Sequence, residues 1–227
     1  IRDRMEEGRD HHAFLMVFPE LCLTGYTCND LFQQEILLEQ VKEELKNLVD
    51  FTKGRKMLLF AGLPWEHEGK LYNVAAALNH GKILGLTTKT FLPNYGEFYE
   101  MRQFRPGPDT ARWITLDGKK IPFGPQLLFV AEQMEELVVS AEICEDVWSP
   151  IPPSTLAARE GATVIVNCSA SDETIGKAAY RESLIEGQSA RLICGYIYAN
   201  AGEGESTTDL VFGGHNIIAV SYTHLRA

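Results

Sequence analysis

What the chain lacks narrows its class first. No apolar run approaches the roughly 18 residues that a membrane span requires, and no signal-peptide pattern is present. Lys and Arg do not cluster, and a net charge of −10 opposes phosphate backbones. Neither a membrane nor a nucleic acid is therefore expected as a partner. Cysteine is sparse and odd in number, with Cys22, Cys28, Cys144, Cys168 and Cys194 making five. Their wide spacing and apolar settings read as reduced thiols in a cytoplasmic protein, not as a disulfide framework. Cys22 and Cys28 are too far apart for a zinc knuckle, and no second Cys or His pair complements them, so no metal is expected.

What is present describes one domain with a substantial core. The chain has 227 residues, of which 45% are hydrophobic and 23% charged, and no repeat, linker or low-complexity tract divides it. Ala13–Phe18 is a continuous apolar run stopped by Pro19 and predicts a strand buried on both faces. Asp30 is expected to cap a helix in which Leu31, Leu37, Leu38, Val41, Leu45 and Leu48 recur at helical spacing. Met57–Gly62 predicts a second buried strand. Leu71–Leu78 and Lys82–Leu86 flank Asn79-His80-Gly81 as a hairpin. Leu127–Val130 and Leu137–Ser140 read as another, the latter running into Cys144. Further elements are a helix near Ser154–Glu160, a strand at Thr163–Cys168, a long helix at Thr174–Leu192 and a strand at Gly195–Asn200. This order predicts an α/β sandwich with helices outside paired sheets. The chain opens without Met, and an N-terminally truncated fragment is expected. Residues 221–227 lack turn chemistry and periodicity and are expected to be a non-native tail.

Three short stretches each carry one reactive side chain at a strand end: Glu20 after Phe18-Pro19, Lys89 before Thr90-Phe91, and Cys144 after Glu142-Ile143. A carboxylate can take a thiol proton, and an ammonium can hold the negative charge that develops on an attacked carbonyl. Each residue also has an ordinary explanation. Cys144 taken alone is more simply a buried structural thiol, Glu20 a cap and Lys89 a solvated lysine. A Cys–His dyad using His80 or His215 has no supporting local pattern.

The words around the trio decide between these readings. FPELCLTGYTCNDLF at Phe18–Phe32, KTFLPNYGEFYEMRQF at Lys89–Phe104 and EICEDVW at Glu142–Trp148 are followed by SASDETIGKAAYR at Ser169–Arg181 and GEGESTTDLVFGGH at Gly202–His215. In this the chain resembles the nitrilase superfamily of carbon-nitrogen hydrolases over about residues 10–219. Within that superfamily it is most similar to the amide-hydrolysing domains of glutamine-dependent NAD synthetases. The resemblance implies an α-β-β-α four-layer sandwich. It implies Glu20 as general base and acid, Lys89 as oxyanion electrophile and Cys144 as nucleophile. Tyr26, Tyr95, Phe98, Glu145, Ser171 and Lys177 fall at positions near the family's amide pocket and are candidates for substrate binding.

The same resemblance implies glutamine as substrate, ammonia as product, no cofactor in this domain, and a homo-oligomer. A C-terminal synthetase domain would be the partner, and ATP and Mg would belong there, because no Ser-Gly-Gly-rich pyrophosphate loop occurs in this chain. The competing readings are a free-standing amidase for another small amide and a catalytically silent assembly module.

Overall fold

Short β-branched and aliphatic runs, each closed by Gly, Pro or a polar turn, set the strands. The computed structural model describes residues 1–207 and 209–220; Thr208 and the tail expected at 221–227 lie outside them. The chain begins with α1 (Arg2–Asp10), β1 (Leu15–Val17), a 3₁₀ stretch at Tyr26–Gln33 and α2 (Glu35–Phe51). Three antiparallel strands follow, β2 (Leu58–His67), β3 (Lys70–Asn79) and β4 (Lys82–Thr88), then the four-residue α3 (Glu100–Gln103). Next come β5 (Arg112–Leu116), β6 (Lys119–Gly124), β7 (Leu128–Ala131) and β8 (Met134–Ile143), and a 3₁₀ turn at Cys144–Trp148. The remainder is α4 (Pro153–Arg159), β9 (Val164–Ser169), α5 (Lys177–Leu192), β10 (Gly195–Asn200) and β11 (Ile217–Ala219).

These strands form two sheets, ordered β1-β2-β3-β4-β6-β5 and β11-β10-β9-β8-β7. Their facing surfaces meet through Phe60, Ala75 and Ala77 on one side and Val139, Ala141, Val166 and Cys168 on the other. Small residues at the centre let the sheets approach closely. Helices α1 and α2 cover the first sheet through Met5, Val41, Leu45 and Leu48. Ala157 and Ile185, from α4 and α5, pack with Ile165 and Tyr196 to cover the second. The four layers are those of the expected sandwich.

Three elements differ from expectation. β1 is half-buried, not buried on both faces, because among the described residues it is the outer strand of its sheet and pairs only with β2, Leu15 opposite Leu58; Phe14 before it is 72% exposed. Asp30 does not cap α2. The 3₁₀ stretch breaks at Asn29, whose φ is +50°, and the Asp30 carboxylate takes Arg102 and Gln103 instead. The β5–β6 hairpin was not anticipated. Its signal was Asp117-Gly118, both left-handed at φ +47° and +75°, the pair that a tight two-residue turn favours.

The topology aims several strand ends at one edge. β1 runs parallel to β2, and β2, β3 and β4 alternate, so β1 and β4 end on the same side. Glu20 follows β1, Lys89 follows β4, and Cys144 follows β8 of the other sheet. Gly62 on β2 makes room for the Glu20 turn: a Cβ there would lie 2.3 Å from Leu21 N and 2.6 Å from Pro19 O. Gly62→Ala is therefore expected to cost about 1–3 kcal/mol of stability, read as a lower Tm. Gly195→Ala, whose Cβ would meet nothing nearer than 3.8 Å, should unfold like the parent. Equal melting of the two variants would contradict the steric account.

Candidate active site

Lys89 is the centre of the cluster. Its ammonium is buried, a costly placement unless it is paired, and it donates to Glu20 Oε1 and to Glu100 Oε1, each at 2.6 Å. Burial alone would lower its pKa, but the charges of Glu100 and Glu20, with Cys144 adding, outweigh that and hold it well above the usual lysine value. Glu20 is fixed from three sides. Asn73 Nδ2 and Lys89 share its Oε1, and the backbone N–H of Ala170 at the end of β9 donates to its Oε2 at 2.9 Å. That last bond ties the two sheets together at the site.

Glu100, which sequence reasoning did not single out, is the second carboxylate. It is carried in by α3, accepts from Tyr26 OH at 2.8 Å and is pushed up to about 7 by burial, Glu20 adding to the effect while Lys89 opposes it. Its Oε2 is buried with no partner among the described residues. It borders a cavity of about 420 Å³ lined also by Tyr26, Phe98, Tyr99 and Leu210.

Cys144 opens the 3₁₀ turn with φ +43°, a left-handed conformation that a side-chain-bearing residue adopts only under constraint. Its own N–H donates to Asn167 Oδ1 on β9 at 2.9 Å. Asn167 Nδ2 in turn donates to Tyr196 OH, which donates to Glu142. The first N–H groups of a helical turn have no intrahelical partner. With that of Cys144 taken, the N–H of Glu145 is the next donor of the turn. Burial, then the Glu20 charge, raises the thiol pKa, against the lowering influence of Lys89. A raised thiol pKa disfavours the thiolate, so nucleophilic chemistry at this sulfur would call for a base beside it. Asp146 accepts from Thr90 N, Phe91 N and Ile143 N; burial and then Glu142 push its carboxyl up, while the Phe91 and Ile143 N–H groups favour the carboxylate.

The structure gathers the candidate pocket residues around this centre in different ways. Tyr26 spends its hydroxyl on Glu100 and packs edge-on against Phe212. Tyr95, 60% exposed, donates to Glu145 Oε1 at 2.9 Å and packs against the buried Phe98. Lys177 pairs with Asp172 and lies 5.8 Å from the Phe98 ring and 5.7 Å from the Trp148 ring. Ser171 is buried: its backbone bonds Asn200, and its hydroxyl accepts from the fully buried Arg181 at 3.4 Å. Cys22, Cys28, Cys168 and Cys194 are free thiols like Cys144. His215 contacts Arg181 through Nδ1.

The sequence pattern described as Carbon-nitrogen hydrolase matches residues 5–219. The chain belongs to the carbon-nitrogen hydrolase family. Among proteins similar to this carbon-nitrogen hydrolase chain, the glutamine-dependent NAD(+) synthetase of Mycobacterium tuberculosis is 43% identical over 218 residues, covering 96% of the chain and 32% of the relative. That of Aquifex aeolicus is 32% identical, covering 95% and 34%. The chain thus spans about a third of the length of these relatives. The crystal structure of a glutamine-dependent NAD(+) synthetase from Cytophaga hutchinsonii superposes with a TM-score of 0.86 at 31% identity, covering 96% of this chain and 35% of that one. An amidase from Nesterenkonia, at 21% identity and a TM-score of 0.71, covering 96% of this chain and 73% of that one, shares the fold.

Glu100 gives a pH test with a defined sign. Its folded pKa of about 7 stands above the ordinary glutamate range, so the protonated form favours folding. That contribution is complete below the unfolded pKa and is lost as pH rises through about 7. Glu100→Gln cannot ionise. Its Tm is expected to gain on the parent's between about pH 5 and pH 8, by about 2–4 °C for each kcal/mol. A difference that is flat with pH, or that moves the other way, contradicts the assignment.

Proposed function

We propose that this chain hydrolyses the side-chain amide of glutamine to glutamate and ammonia through a thioester on Cys144. We further propose that it supplies this ammonia to a synthetase domain of a longer polypeptide, which amidates deamido-NAD at the expense of ATP. The observation that carries the reading is the buried Lys89 ammonium, braced by two carboxylates at the strand edge where Cys144 opens its turn. Similarity to glutamine-dependent NAD synthetases supports glutamine as the substrate and a synthetase domain as the partner.

In this mechanism Glu20 takes the thiol proton as Sγ attacks the amide carbon. The tetrahedral oxyanion is held by the Lys89 ammonium and by the backbone N–H of Glu145. Collapse breaks the C–N bond, and Glu20 returns its proton to the departing ammonia. Glu20 then draws a proton from water, whose oxygen attacks the thioester; the proton passes to the leaving sulfur, glutamate departs and the thiol is restored. Tyr95, Phe98, Glu145, Ser171 and Lys177 form the substrate pocket, and Tyr26 acts on it through Glu100. No cofactor enters these steps, and ATP and Mg would act in the synthetase domain. Free thiols favour a cytoplasmic setting, and the resemblance alone supports a homo-oligomer.

In the full-length protein, Cys144→Ala is expected to stop NAD formation from glutamine while leaving formation from free ammonia intact. Ammonia release that survives this change would overturn the nucleophile. Loss with both nitrogen donors would overturn the division of labour. Lys89→Met keeps side-chain length and removes the charge, and glutamine turnover is expected to fall about 10²–10³-fold with KM changed far less. A raised KM at unchanged kcat would mean that Lys89 binds ground-state substrate instead.

A further inference from the structure

Lys89 leaves one sheet and Cys144 the other, so their separation depends on how two sheets are held at a shared edge. The Asp146 carboxylate joins the two segments directly. Its Oδ1 accepts from Thr90 N at 3.0 Å and Phe91 N at 2.9 Å, immediately after Lys89. Its Oδ2 accepts from Ile143 N at 2.9 Å, immediately before Cys144. The side chain is wholly buried, and these three donors are all backbone groups. They need both carboxylate oxygens as acceptors. An Asn of the same size offers one acceptor and would set its own N–H₂ against one of the donors. Asp146 also closes its own turn, its carbonyl accepting from Ser149 Oγ at 2.7 Å. The carboxylate is therefore rigidly mounted on the turn that begins with the nucleophile.

We propose that Asp146 is a positioning residue for amide cleavage. By gripping the backbone just after Lys89 and just before Cys144, it sets the distance between the ammonium that meets the oxyanion and the sulfur that creates it. Misplacement by about 1 Å can cost a reaction on the order of 10²-fold, so the grip acts on turnover more than on substrate affinity. The inference rests on the roles given to Lys89 and Cys144 above.

The test is a double-mutant cycle on glutamine turnover in the full-length protein. Asp146→Asn is expected to lower kcat about 10–100-fold while KM stays within a few-fold. Added to Lys89→Met, the same change should cost almost nothing further, because the ammonium it positions is already gone. A merely structural role would instead multiply the two losses. Multiplied losses, or an Asp146→Asn variant with near-parental kcat, overturn the proposal. If Asp146→Asn does not accumulate folded, Asp146→Glu, which keeps both acceptors but displaces them, carries the same comparison with the same outcomes. Glutamine hydrolysis that persists in Cys144→Ala would defeat the underlying mechanism. Multiplied losses with Cys144→Ala inactive would defeat this inference alone.

Discussion

Burying the Lys89 ammonium is the constraint on which the rest of the site depends. An unpaired charge in that place would cost several kcal/mol even after relaxation. The fold meets the cost with Glu20 on one side and Glu100 on the other. Those carboxylates need support in turn. Asn73 and the Ala170 N–H hold Glu20, and Tyr26 holds Glu100. Each support comes from a different element, so the charge cluster locks β3, the end of β9 and the 3₁₀ stretch around one cation. Burial, with Glu20 adding, raises the Glu100 carboxyl to about 7 against the pull of Lys89.

Cys144, the proposed nucleophile, is organised by a complementary constraint. Burial raises its thiol pKa, and the left-handed Cys144 backbone is held with Asn167 and Asp146 accepting from the surrounding N–H groups. The Asn167–Tyr196–Glu142 chain crosses three neighbouring strands of one sheet, whereas Asp146 reaches to the other. Strain at the turn is thus supported in both directions, as expected where backbone geometry serves chemistry.

Much of this was legible in the sequence, for reasons that differ by residue. Strand periods and the glycine turn at His80-Gly81 located most of the sandwich, because local patterning and burial agree there. Glu20, Lys89 and Cys144 stood out through the words around them. Glu100 lay inside one of those words, yet nothing local marks a carboxylate on a four-residue helix as buried; only tertiary packing puts it against Lys89. Asp146 is similarly silent, since two of its three partners lie in the Lys89 segment, more than fifty residues away. Tyr26 stood as a candidate for substrate binding on the words around it, and its bond to Glu100 is another long-range pairing that no local pattern marks. The helix start misread at Asp30 has the same origin, a long-range pairing with Arg102 that competes with capping.

The central claim, that these strand ends converge into one amide-cleaving centre with Cys144 as its nucleophile, is tested most directly by stoichiometric labelling. The full-length protein would be titrated with a glutamine-mimicking electrophile while glutamine turnover and the site of modification are followed together. The account predicts that turnover falls in proportion to one label per chain, all of it on the peptide bearing Cys144. Complete inactivation with the label on Cys22, Cys28, Cys168 or Cys194, or turnover that persists once Cys144 is fully modified, would contradict it.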